Sequence, residues 1–133
     1  MNNKPLNIAV AGLGTVGIGV LKILEKNKAL ITKKTGRKLQ VVAICARYRN
    51  KSRGINLDHI KWIEDPMSLT NRSEIDVVVE VMGGASDPAK GVVQEALKNG
   101  KHVVTANKAL LAKHGYALAL LAEKNKMALR FET

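Results

Sequence analysis

Apolar residues recur along the chain in two rhythms, short unbroken runs and longer stretches spaced three or four residues apart. Leu6–Ala11 is apolar apart from Asn7, as expected of a strand buried on both faces of a parallel sheet. Beyond it Val16, Val20, Ile23 and Leu24 repeat at helical spacing with Lys22, Glu25 and Lys26 on other faces, which predicts a first helix ending near 27–29. The stretch 30–38 is basic and contains Gly36, and a loop or frayed turn is expected there. Residues 39–46, rich in β-branched side chains, read as the second strand. A polar loop at 50–56, a short element around Trp62 at 58–64 and a short helix opened by Pro66 follow. Residues 76–82 form another apolar strand, ending in Gly83-Gly84. Pro88 suits the first turn of a helix that runs through Val92, Val93, Ala96 and Leu97 to Asn99-Gly100. His102–Thr105 is the next strand, 109–125 a long helix through Leu111, Leu118, Leu121 and Ala122, and 127–131 a last strand. Strands alternating with helices predict one α/β domain over residues 1–133 with a mainly parallel sheet.

The first strand–helix junction reads Gly12-Leu13-Gly14-Thr15-Val16-Gly17, glycines spaced G-x-G-x-x-G. This spacing suits a dinucleotide pyrophosphate: the first glycine makes a tight turn, the second lets backbone approach the phosphates, and the third lets helix pack on strand. Free N–H groups and the partial positive charge of the helix start then face the anion. Glycines also mark ordinary turns, so the motif gains its meaning from the β-α-β unit around it. That topology predicts a Rossmann-like, doubly wound fold in three layers, α/β/α.

The end of the second strand separates two forms of a nicotinamide cofactor, since an acid there accepts from a ribose hydroxyl whereas an arginine accommodates a 2′-phosphate. Here the strand runs into Arg47, and no acid occurs until Asp58. Arg47 is therefore the candidate for the phosphate, with Arg49, Lys51 and Arg53 as helpers; a solvated basic loop is the competing reading. Within the glycine turn, backbone N–H groups and the Thr15 hydroxyl are candidates for the pyrophosphate, and Thr15 as a plain helix-start residue is equally in play. Lys108, just past a strand end, is a candidate for the ribose or nicotinamide side, against an ordinary exposed lysine. Glu80, at a buried strand end, reads as a packed, hydrogen-bonded acid. His102 and His114 lack partners at ligand spacing, and no metal is expected.

Composition narrows the classes further. A hydrophobic fraction of 46% with 25% charged residues belongs to a globular protein. No apolar stretch approaches the roughly 20 residues of a membrane span, and Met1-Asn2-Asn3-Lys4-Pro5 lacks a signal-peptide core, so no membrane partner and a cytoplasmic location are expected. The single cysteine, Cys45, reads as a buried strand residue. The net charge of +11 admits nucleic acid or a small polyanion. Only four aromatic residues are present to stack on bases. A nucleic-acid module is thus the secondary reading and no nucleic-acid partner is expected; a nucleotide sensor without chemistry is the other alternative.

Taken together, the 12–17 turn, Ala46-Arg47-Tyr48-Arg49 with Arg53-Gly54, Val79-Glu80-Val81-Met82-Gly83-Gly84, and the block from Gly100 through Thr105-Ala106-Asn107-Lys108 to Ala112 resemble the N-terminal domain of bacterial homoserine dehydrogenases. The resemblance runs over essentially the whole chain. It implies reduction of L-aspartate 4-semialdehyde to L-homoserine with NADPH, or NADH as the alternative, on the route to threonine, methionine and isoleucine. It also implies cofactor contacts at Leu13, Thr15, Val16, Arg47 and Lys108, with Thr105 and the Gly83-Gly84 turn near the nicotinamide end. In that family a catalytic and dimerisation domain with the catalytic lysine follows, whereas this chain reads Phe131-Glu132-Thr133 and stops. The implication is a cofactor domain with no catalytic residue of its own, inactive alone and dimeric only through the region beyond it, in which Lys108 does not replace the missing lysine.

Overall fold

A computed structural model of the chain describes residues 4–49 and 51–131. In order it contains β1 (Leu6–Ala11), α1 (Thr15–Lys26), α2 (Lys28–Thr35), β2 (Leu39–Cys45), β3 (Lys61–Trp62), a 3₁₀ turn (Pro66–Leu69), β4 (Val77–Glu80), α3 (Ala89–Lys98), β5 (His102–Thr105), α4 (Lys108–Lys124) and β6 (Leu129–Phe131). The strands form one sheet in the order β3-β2-β1-β4-β5-β6, and every pairing is parallel. The chain moves outward from β1 to β3, returns to β4 beside β1, and moves outward again to β6. This is the doubly wound, Rossmann-like α/β arrangement expected from the alternation of strands and helices, with its switch point between β1 and β4.

Strand alternation divides the core into two layers. Ile8, Val10, Ile44, Val77 and Val79 point to one face, where Leu13 and Leu21 of the α1 side cover them. Ala9, Ala11, Ala43, Cys45, Val78 and Val103 point to the other, against Val92, Val93, Ala96 and Leu97 of α3 and Leu110, Leu118 and Ala122 of α4. The small side chains of β1 and β2 on that second face leave room for Leu69 of the 3₁₀ turn to pack with no exposure at all.

The basic stretch at 30–38 differs from expectation, because most of it belongs to α2. Not one α2 residue is buried, so no apolar stripe announces the helix in the sequence. Its own backbone ladder holds it, with Thr32 and Thr35 hydroxyls bonded to the carbonyls of Lys28 and Ile31 at 2.9 and 2.8 Å, until it stops at Gly36. Two strands also end sooner than their apolar runs: β2 at Cys45 and β4 at Glu80. The element at 58–64 is the two-residue β3, paired with Ala43 and Ile44.

The amino edge of the sheet is fastened by polar side chains. Asp76 accepts from the Asn7 N–H at 2.8 Å, and Gln40 donates to the Asn7 side chain at 2.8 Å, linking β2, β1 and the entry to β4. Asn99 donates to Thr70 O at 3.0 Å and the buried Lys101 ammonium to Arg72 O at 2.6 Å, fastening the α3–β5 connection to the segment ahead of β4. Among the described residues no helix is long and apolar enough to cross a membrane.

Cys45 closes β2 with its thiol buried and 3.7 Å from Glu64 O. Burial, then the negative charges of Asp65 and Glu64, push the thiol up to about 11 from 9.0. At pH 8 the thiolate fraction is then about a hundredfold below that of an ordinary cysteine. Labelling by a thiol reagent at pH 8 is therefore expected to be slow in the native chain and to become fast in denaturant; rapid labelling of the folded chain contradicts this placement.

Candidate functional site

The carboxyl ends of the strands form one row, Cys45, Ala11, Glu80, Thr105 and Phe131, each the register partner of the next. Thr105, a cofactor candidate, stands in this row, and the other candidates from the sequence lie on the turns and helix starts beyond it. The glycine turn follows Ala11. Gly12 donates to Cys45 O at 2.8 Å, extending the ladder by one residue, and has φ +107°. A Cβ there would stand 2.8 Å from the Val81 carbonyl oxygen, and a Cβ on Gly17 would overlap the carbonyl oxygen of Gly12. Both glycines are thus required by close approach of backbone. Gly14 is different, because a Cβ on it meets nothing within 4 Å.

Gly14 also occupies the N-cap of α1, and no side chain caps this helix. The first intrahelical bond runs from Ile18 N–H to Gly14 O at 3.0 Å, so the N–H groups of Thr15, Val16 and Gly17 have no intrahelical acceptor. The first turn carries no acid. Thr15 is the first helical residue and does not cap; it is exposed, as is Val16, whereas Leu13 is buried in the core and presents only backbone to this edge. The arrangement is an open helix start whose first N–H groups have no intrahelical acceptor, which fits an anionic group approaching past Gly14.

On the β2 side, Arg47 is exposed and no described residue partners its side chain. Arg49 lies 4.0 Å from Glu64 and 5.9 Å from the Trp62 ring centroid. Arg53 turns inward, donating to the carbonyls of Arg47, Tyr48 and Lys51 at 2.6, 3.0 and 3.1 Å. The basic patch is therefore not one set of equivalent cations.

On the β4–β5 side the organising group is Glu80, fully buried. One carboxylate oxygen accepts from the Thr105 hydroxyl at 2.7 Å, and the other accepts the N–H groups of Met82 and Gly83 at 2.8 and 3.2 Å. Thr105 in turn accepts the Asn107 N–H at 3.1 Å, and Asn107 donates to Gly84 O at 2.6 Å while capping α4 through Leu110 N–H at 3.0 Å. Gly83 and Gly84 both take positive φ, 84° and 88°, a conformation few other residues tolerate in succession. Thr105 is thus buried with its hydroxyl occupied, while Lys108 is exposed as the first residue of α4. Sequence reasoning identified Glu80 as a packed acid but assigned Asn107 no role, although an asparagine just before a helix is an N-cap signal. Among the described residues no group of three or more His, Cys, Asp or Glu side chains converges as for a metal ion, and His102 Nδ1 accepts from Ala128 N–H at 3.0 Å.

Comparison with known proteins adds a second line of observation. The family described as homoserine dehydrogenase, NAD binding domain, matches residues 12–132. Homoserine dehydrogenases of Neisseria gonorrhoeae and Pseudomonas aeruginosa are 43% and 40% identical to the chain over 129 residues each. Each alignment takes in 97% of the chain and 29% of the relative, so the chain spans under a third of these proteins' length. The crystal structure of Staphylococcus aureus homoserine dehydrogenase at pH 7.0 superposes with a TM-score of 0.90 at 44% identity, over 98% of this chain and 33% of that one.

Two consequences are measurable by urea unfolding. Glu80→Ala removes the acceptor of two N–H groups and one hydroxyl, each costing roughly 1–3 kcal/mol when orphaned, and is expected to destabilise by about 3 kcal/mol or more; Glu80→Gln, which keeps an acceptor but loses the charge, by about 1–2 kcal/mol. Equal stability of both variants and the unsubstituted chain removes Glu80 from this role. Gly17→Ala forces α1 off the turn and is expected to cost about 2–3 kcal/mol. In contrast Gly19→Ala, whose Cβ would meet nothing within 4 Å, is expected to be neutral or to gain up to about 1 kcal/mol.

Proposed function

Since this chain belongs to the homoserine dehydrogenase family, matching its NAD-binding domain, we propose that it binds NADP(H), with NADH as the weaker alternative, for interconversion of L-aspartate 4-semialdehyde and L-homoserine in the longer protein. The observation that carries the cofactor reading is the glycine turn. Two of its glycines have no space for a Cβ, and the third faces open space at an uncapped helix start. That combination suits a pyrophosphate.

In this reading the N–H groups of residues 14–17 hold the pyrophosphate, with the Thr15 hydroxyl beside them. Leu13 contributes backbone, and Val16 a hydrophobic wall. Arg47, exposed at the end of β2 with its side chain bonded to no described residue, takes the 2′-phosphate, and a guanidinium does so through two parallel hydrogen bonds. Arg49 lies alongside and adds charge. At the other end, Gly83 and Thr105 shape the wall toward the nicotinamide, and Lys108 reaches the ribose from the start of α4. A nicotinamide held by these residues would supply a hydride to, or take one from, the carbon that is aldehyde in one substrate and alcohol in the other. The chain's own residues orient the ring and exclude none of the substrate's access; proton transfer, substrate binding and dimer formation belong to the remainder of the longer protein. The activity serves threonine, methionine and isoleucine formation, in the cytoplasm.

Calorimetric or fluorescence titration with NADPH and NADH checks the reading. NADPH is expected to bind more tightly, and Arg47→Ala to weaken it by about 1.5–3 kcal/mol, roughly ten- to a hundredfold, with NADH changed little. Similar affinity for both nucleotides, unaffected by Arg47→Ala, overturns the phosphate assignment.

A further inference from the structure

We propose that Arg53 is a positioning residue for recognition of the 2′-phosphate: held against Trp62, it gathers three backbone carbonyls and so fixes the backbone from which Arg47 presents its guanidinium. The inference rests on the cofactor reading above and deepens it. In the sequence Arg47, Arg49, Lys51 and Arg53 form one run of alternate cations, Arg47 the phosphate candidate and the other three its helpers. The structure separates them by direction. Arg47 is exposed and its side chain bonds to no described residue, whereas Arg53 is half-buried and its fork is turned onto the chain itself.

Geometry makes this a clamp. Nη2 of Arg53 donates to Arg47 O at 2.6 Å, and Nη1 donates to Tyr48 O at 3.0 Å and Lys51 O at 3.1 Å. Carbonyls of three different residues are drawn to one planar group, which an arginine can do and a lysine, with a point charge on a flexible stem, does not reproduce. Tyr48 is a non-glycine residue at φ 58°, a conformation that needs support from its surroundings. Its carbonyl receives that support twice, from Arg53 and from the Lys51 N–H at 2.9 Å.

The clamp is anchored outside the loop. The Arg53 guanidinium carbon lies 5.4 Å from the Trp62 ring centroid, in the range of a cation–π contact. Trp62 is on β3, paired in register with Ile44 of β2, and the next residue donates from Ile63 N–H to Ile44 O at 2.8 Å. Position is therefore handed from sheet to ring, from ring to guanidinium, and from guanidinium to the backbone of Arg47. Among the described residues Arg53 meets carbonyls and a ring and no carboxylate. Its full positive charge consequently adds to the field at Arg47 without taking part in the direct contact.

The test compares dissociation constants of NADPH and NADH for the unsubstituted chain, Arg53→Ala, Arg53→Lys and Trp62→Leu, with amide hydrogen exchange of the nucleotide-free chains. Arg53→Ala is expected to weaken NADPH about tenfold while NADH moves less than about twofold, a difference of one decade in the ratio. Arg53→Lys, which keeps the charge but not the fork, is expected to behave like Arg53→Ala, and Trp62→Leu to follow in the same direction. Without nucleotide, the Lys51 amide is expected to exchange faster in Arg53→Ala than in the unsubstituted chain. Restoration of NADPH affinity by Arg53→Lys, an unchanged NADPH to NADH ratio, or parallel weakening of both nucleotides overturns the positioning role. Should NADPH bind in an Arg47-dependent way while Arg53→Ala leaves the ratio intact, only this proposal falls; should the unsubstituted chain bind neither nucleotide, the cofactor reading falls and takes it along.

Discussion

A carboxylate with no access to water needs several donors to replace its hydration, and Glu80 finds three within the chain itself. Those donors come from the turn immediately after its own strand and from the neighbouring strand, so meeting the demand of one charge dictates the route of the backbone. After one last cross-strand bond, from Val81 N–H to Ala11 O at 2.9 Å, the N–H groups of Met82 and Gly83 bend back to the carboxylate and strand β4 ends. The bend brings the Val81 carbonyl against the point where Gly12 must pass, and Gly12 in turn sets how closely α1 approaches through Gly17. Across the sheet, the Thr105 hydroxyl passes the constraint to Asn107 and from there to the start of α4. Both helix starts that frame the edge are thereby referred to one buried acid.

Room for that acid comes from its neighbours in the row. Ala11 is its register partner on β1 and Thr105 on β5; the first is small, and the second supplies a hydroxyl of the right length. A larger residue at 11 or a purely apolar one at 105 would leave the charge compressed or short of a donor. The small buried residues Ala9, Ala11, Ala43 and Cys45 on this face therefore serve the charge as well as the packing of the 3₁₀ turn.

Much of this was legible in the sequence, for identifiable reasons. Strands buried on both faces announce themselves as unbroken apolar runs, and the G-x-G-x-x-G spacing reports a steric requirement that few other residues meet, so the sheet and the turn at 12–17 could be read directly. Helix α2 could not, since a helix that buries nothing leaves no periodic trace. The ends of β2 and β4 differ by one or two residues from the apolar runs because hydrophobicity outlasts the ladder; past β4 the Met82 and Gly83 N–H groups turn to the Glu80 carboxylate. In the basic patch the sequence shows charge but not direction. Arg47 and Arg53 are the same residue six positions apart, and only the fold reveals that one faces solvent while the other is turned onto the backbone. Glu80 was recognised as a packed acid from its position at the end of an apolar run, yet its influence on Asn107 and Gly84 depends on contacts 25 or so residues apart.

The polar fastenings at the opposite edge have a different kind of consequence. Asn7 with Asp76 and Gln40, and Lys101 with Arg72 O, hold the amino ends of the strands, a full strand length from the glycine turn. Damage at that edge alters how many molecules are folded; damage at the carboxyl edge, as at Glu80 or Gly17, alters this too and in addition what each folded molecule can hold. A change at the amino edge therefore reaches selectivity only through the fraction folded, whereas a change at the carboxyl edge is read in both abundance and selectivity.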